Sequence, residues 1–292
     1  MEYTIKNERL MLRADTAGGE MVSIQGRKDE TEYLWCADPA YWKRHAPVLF
    51  PVIGCAQGKR LVIGGKEYPM GQHGFARDME FELREQTEAT LRFVLRSGSE
   101  TLMKYPYPFE LETAYTLEDN TVTNTWTVTN TGDADMHYHI GGHPAFRCPV
   151  KSGQRGGYYL KFDSEGPLRY GLLNKNGLLE DPVYEKETDG GYLLIADDMF
   201  EKDALIVEGG QHRSVSLCTP DRKAYVTVLF DSPVYGIWSP AGKLAPFVCI
   251  EPWWGRADRA SFEGEIAQRE YDQCLSCGEK RSYSFTIRFD WE

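Results

Sequence analysis

Thr121-Val122-Thr123-Asn124-Thr125-Trp126-Thr127-Val128-Thr129-Asn130 alternates β-favouring residues at period two and runs into a turn signal, Asn130-Thr131-Gly132-Asp133. Successive side chains of an extended chain point to opposite faces, so this pattern predicts a strand rather than a helix. Similar segments recur at 91–95, 158–162, 214–217, 225–230, 247–250 and 283–289, with glycine and proline between them at short intervals. Helical periodicity is scarce: 39–44 and 197–200 have room for only a turn or two. The pattern is that of an all-β protein.

At 292 residues the chain is long enough for two domains, but large all-β folds also reach this size around one core. No composition shift, charge block or linker divides it. The polar, glycine-rich stretch 151–157 is a candidate boundary that reads equally as one long hairpin loop, and residues 1–292 are expected to form a single domain. A hydrophobic content of 41% with 26% charged residues fits a globular protein. The net charge of -11 argues against nucleic acid or an anionic membrane surface as the main partner. Met1 to Lys6 lacks the regions of a signal peptide and no apolar run is of membrane-spanning length, so a soluble, cytoplasmic protein is expected. Seven scattered cysteines suit free thiols in a reducing compartment. Cys274-Leu275-Ser276-Cys277 is a lone CxxC, a weak basis for a zinc or redox role.

Three islands carry chemistry-bearing side chains. The first, Gln72-His73-Gly74-Phe75-Ala76-Arg77, places a histidine in a loop or strand end where it can face a cavity. The second, His137-Tyr138-His139-Ile140-Gly141-Gly142-His143-Pro144, leaves two readings open. His137 and His139 share a face of an extended strand, a spacing able to chelate a metal with His143 as a third ligand. Alternatively they are a solvent-facing or sheet-packed pair while His143, on a turn constrained by Pro144, acts as a positioned acid. The second reading is preferred, because the sequence supplies no further ligands, and no metal is expected. The third island runs from an apolar strand, Phe247-Val248-Cys249-Ile250, into Glu251, Pro252, Trp253 and Trp254. A carboxylate ending a buried strand beside indoles points to a polar cavity. Indole faces pack on sugar C–H surfaces while carboxylates bind hydroxyls, which suits a carbohydrate pocket.

The order Ala46-Pro47-Val48-Leu49-Phe50-Pro51, then the His73 island, then Gly142-His143-Pro144-Ala145-Phe146, then Cys249-Ile250-Glu251-Pro252-Trp253 resembles the aldose 1-epimerase (galactose mutarotase-like) superfamily, nearest its LacX-like branch. The resemblance spans essentially the whole chain. It implies a large antiparallel β-supersandwich and cofactor-free interconversion of the α and β anomers of an aldohexose. By the same resemblance Glu251 is the base at the C1 hydroxyl and His143 the acid at the ring oxygen. His73 holds the sugar, Asp203 aligns with a substrate-binding aspartate, and Arg77 braces His73 or reaches the ligand, with Trp253 beside them. One departure stands out: relatives commonly read Ile-Gly-Arg where this chain has Ile53-Gly54-Cys55, leaving Lys59 or Arg60 as substitutes and favouring an unphosphorylated hexose. Two other readings remain: a non-catalytic carbohydrate-binding or sensing protein on the same scaffold, and a metal-dependent, cupin-like enzyme using His137, His139 and a carboxylate.

Overall fold

The computed structural model describes residues 1–151, 153 and 155–290. The reading of 151–157 as a loop therefore falls partly outside the described residues. Among the described residues the chain is nearly all antiparallel strand, in two large sheets and three small ones. The strand Thr121–Asn130 lies inside the nine-stranded sheet, paired with Phe109–Glu118 on one side and Lys280–Phe289 on the other. Its alternation is realised residue by residue: Val122, Asn124, Trp126, Val128 and Asn130 are buried, while the threonines between them are half-buried. Asn124 is tolerated inside because its amide donates to Thr113 Oγ1 and to the Ala114 carbonyl.

The second large sheet has the order Leu179–Lys186, Leu168–Leu173, Leu205–Glu208, Val234–Trp238, Phe247–Trp254, Ile140–Gly142, Val48–Leu49, and Ala145–Arg147 also pairs with Phe247–Trp254. The inner faces of the two sheets meet in one core. Trp126 of the first lies 6.4 Å from Trp254 of the second, and Phe230 lies 5.1 Å from Tyr235. The architecture is the large antiparallel β-supersandwich that the resemblance implies. No helix among the described residues is long and apolar enough to cross a membrane.

Three local expectations are corrected. The apolar run expected to end at Ile250 continues as strand through Trp254, buried throughout, so Glu251 lies within the strand rather than at its end. Proline inside a central strand is normally excluded because it cannot donate to the ladder. Pro252 fits here because the neighbouring chain pairs with Cys249 through Ala145 and with Trp253 through Gly141, and departs in between at 142–143. The six-residue helix Ser99–Lys104 is too short to announce itself by periodicity, while 39–41 and 197–200 form turns. Third, His137 and His139 do not share a face: the strand Met136–Tyr138 ends before His139, and Ile140–Gly142 belongs to a different sheet.

Candidate active site

The gap that accommodates Pro252 also creates the site. His143 occupies the break between the strands Ile140–Gly142 and Ala145–Arg147, its backbone N–H donating to the Pro47 carbonyl at 3.1 Å. Glu251 projects from the strand across the gap, in register with Gly236 on the far side. His143 Nε2 thereby comes to 3.2 Å from Glu251 Oε2. Both side chains are almost fully enclosed, His143 at 6% exposure and Glu251 at 1%. The contact lacks hydrogen-bond alignment, which leaves Glu251 Oε2 without a partner, and His143 Nδ1, the other ring nitrogen, has none either. Unpaired buried polar atoms are costly in a folded protein, and their presence together marks a place where a polar ligand belongs.

His73 arrives from a loop held by reciprocal bonds. Its backbone N–H donates to the Gly54 carbonyl at 2.9 Å, and the Gly54 N–H donates to His73 Nδ1 at 3.1 Å. With Nδ1 accepting, the neutral ring carries its proton on Nε2 and offers a donor. The loop needs left-handed backbone at His73 (φ 63°) and Gly74 (φ 71°). Any Cβ on Gly74 would sit 2.2 Å from the Phe50 carbonyl oxygen, so only glycine allows this approach. The His73 and His143 rings meet edge to face at 5.6 Å.

A cavity of about 250 Å³ opens on these groups, and Arg77, Asp203 and Trp253 line it with His73, His143 and Glu251. All six residues singled out in the sequence thus converge. Arg77 is held by donating from Nη2 to the Gln72 carbonyl at 2.7 Å, leaving its Nε unpaired. Asp203 is exposed, on left-handed backbone at the mouth. Trp253 lies two residues beyond Glu251 on the same strand, with its indole N–H unpaired.

Burial dominates the electrostatics. It pushes the Glu251 carboxyl well above the ordinary carboxylate range, reinforced by the charge of Asp203 and opposed by Arg77. It pushes His143 down to about 3, aided by Arg77, and His73 well below its usual value, aided by His143 and Arg77. Arg77 falls to about 10 and stays cationic at neutral pH. Burial thus favours the neutral form of both members of the pair.

Sequence reasoning missed the aromatic walls. Trp42 stacks on His143 at 4.7 Å with an interplanar angle of 28°, and Trp238 meets the same ring edge-on at 5.4 Å. Trp42, between Tyr41 and Lys43, belongs to no motif, and only the fold brings it over the imidazole. Its segment is fastened by buried Glu20, whose Oε1 accepts from the His45 and Ala46 N–H groups. Arg256 also lines the cavity but is engaged by Glu208 and Glu270.

An outer recess shares Gln72, Leu173, Asp203 and Trp238 with the cavity and contains Cys55 and Lys59. Arg60 does not line it and pairs with Glu67 at 2.9 Å, so of the two candidate substitutes for an arginine at position 55 only Lys59 faces the site's entrance. The chelate reading fails on geometry. His137 is bound to Asp272, His139 is buried with both ring nitrogens unpaired, and the metal-ligand atoms that converge among the described residues are those of His143, Cys249 and Glu251.

Comparison with known proteins shows the family. The family model described as aldose 1-epimerase matches residues 1–287. The plasmid-encoded protein LacX of Lactococcus lactis subsp. lactis is 34% identical over 303 residues, covering 98% of this chain and 99% of its own. A galactose mutarotase related enzyme from Lactobacillus acidophilus superposes with a TM-score of 0.94 at 34% identity, covering 100% of this chain and 98% of its own. A galactose mutarotase-like protein from Lactobacillus casei gives 0.91 at 29% identity, covering 99% of this chain and 100% of its own. The chain belongs to the aldose 1-epimerase family, among its LacX-like members.

Proposed function

We propose that the protein is a mutarotase that interconverts the α and β anomers of an unphosphorylated aldohexose by cofactor-free ring opening and closure. The observation that carries this reading is the enclosed pair of His143 and Glu251, with Nε2 and Oε2 3.2 Å apart in a cavity lined by indoles. Opening a hemiacetal removes a proton from O1 and delivers one to O5 as the C1–O5 bond breaks. Rotation about C1–C2 and reversal of both transfers then closes the ring on the other face. Glu251 serves as the base at O1 and His143 as the acid at O5.

The direction in which burial moves both groups, towards their neutral forms, fits this cycle. A neutral acid beside a neutral imidazole holds the same number of protons as carboxylate beside imidazolium, so one transfer within the pair produces the competent form without a proton from solvent. Sugar hydroxyls that bond to the two unpaired atoms favour the charged form, because hydrogen bonds to ionised groups are the stronger ones. His73 donates from Nε2 to the sugar, Arg77 and Asp203 bind hydroxyls at its rim, and Trp253 packs on its C–H surface. Seven free thiols fit a reducing, cytoplasmic setting.

The test is NMR exchange or polarimetry of freshly dissolved α-glucose and α-galactose with and without the protein. Acceleration of anomer exchange is the expected result. Binding without acceleration would make the protein a carbohydrate sensor, and tight binding of a hexose 6-phosphate in calorimetry would overturn the unphosphorylated substrate.

A further inference from the structure

Two sequence features find no use in the sugar site: His137 and the Cys274-x-x-Cys277 pair. The fold puts them together. Met136–Tyr138 and Gln273–Leu275 form a two-stranded ribbon in which His137 stands directly opposite Cys274. His137 Nδ1 lies 2.6 Å from Asp272 Oδ2, and Cys274 Sγ lies 3.9 Å from His137 Nε2. A carboxylate that accepts at Nδ1 fixes the proton there and leaves the Nε2 lone pair facing the thiol, the arrangement by which an imidazole removes a proton from sulfur. The Tyr105 hydroxyl donates to the His137 carbonyl at 2.7 Å and holds the ribbon in place. His137 and Cys274 are half-buried and therefore within reach of a small reagent, and Cys277 is exposed. None of the four lines the sugar cavity.

We propose that Cys274, with His137 as its base and Asp272 as the residue orienting that base, is a thiol site that exchanges with small cationic disulfides. In the exchange the Cys274 sulfur attacks one sulfur of the disulfide while His137 takes the thiol proton. The S–S bond breaks, and the departing thiolate receives the proton from His137. The products are a mixed disulfide on Cys274 and one free thiol; in formal oxidation number the Cys274 sulfur rises from -2 to -1 as the departing sulfur falls from -1 to -2, so no further oxidant or reductant is needed. Base assistance is needed because burial, with Asp135, Asp272 and Glu279 nearby, holds the thiol protonated against the opposing charge of Arg281. Those carboxylates also set the class of reagent, since they repel an anionic disulfide and attract a cationic one.

The experiment treats the folded protein with cystamine or with glutathione disulfide and follows each of the seven cysteines by peptide mass spectrometry. The expected result is that cystamine modifies Cys274 faster than the exposed Cys36, and faster than glutathione disulfide does. His137→Asn should slow Cys274 about tenfold or more and leave Cys36 unchanged, as loss of a positioned base requires. Asp272→Asn should slow it less, and full unfolding in urea should bring Cys274 to the rate of Cys36. Modification of Cys274 no faster than Cys36 in the folded protein, or a rate untouched by His137→Asn, overturns the site. Equal rates with the two reagents overturn the cationic class.

Discussion

His143 Nε2 lies 3.2 Å from Glu251 Oε2, with Glu251 on a strand and His143 in the break between two short strands that pair with it. Each is moved towards its neutral form by burial. Glu251→Gln and His143→Asn each keep shape while removing one end of the proton path. Each is expected to lower kcat for mutarotation by roughly 10²- to 10⁴-fold, the usual contribution of a positioned acid or base. Thermal unfolding should stay near wild type, since neither change leaves a new buried charge. Anomer exchange at the wild-type rate in either variant would remove the assigned roles.

His73 is expected to act through binding. Its ring is neutral and its Nδ1 is occupied by the Gly54 N–H, so its contribution is a donor aimed at the sugar. His73→Ala should raise KM strongly, and kcat should fall less than in Glu251→Gln. Unchanged KM and kcat would reject the assignment.

Gly74 controls the placement of that histidine. Gly74→Ala drives a Cβ into the Phe50 carbonyl and demands left-handed backbone of a residue that disfavours it. The expected loss is about 1–3 kcal/mol of stability in urea titration, accompanied by weaker sugar binding as the loop shifts. A variant as stable as wild type would mean that the loop relaxes freely.

Acid should weaken the fold through its buried histidines. His73, His139 and His143 all have folded-state values below the usual 6.5 because burial disfavours their charged forms. The unfolded chain then takes up protons first, so their contribution to stability is complete above pH 6.5 and is lost as pH falls below it. Each can contribute at most about 1.4 kcal/mol per pH unit. Glu251 and Glu20, raised by burial, act in the opposite sense where the unfolded carboxyl ionises, above about 4.5. His139 isolates the histidine effect, since it lies outside the cavity with both ring nitrogens unpaired. His139→Leu should flatten the dependence of urea midpoints on pH between 6.5 and 5 relative to wild type. An identical slope would show that His139 does not titrate on unfolding.

The sequence by itself determined the strands and the chemistry-bearing residues. Period-two alternation at Thr121–Asn130 is a local consequence of one face being buried, and it is legible wherever that condition holds. The six predicted site residues were legible because glycines, prolines and indoles around His73, His143 and Glu251 restrict the backbone in ways a generic strand does not need. The tertiary structure decided what those residues meet. It carried the strand through Pro252 by withdrawing the neighbouring chain at 142–143, and it separated His137 from His139 by ending a strand between them. It also laid Trp42 on His143, turned Arg60 away, and set Cys274 against His137. Each of these depends on pairing between segments remote in sequence, with 101 positions separating Trp42 from His143 and 137 separating His137 from Cys274. Strand periodicity records which face of a segment is buried; it does not record which partner buries it.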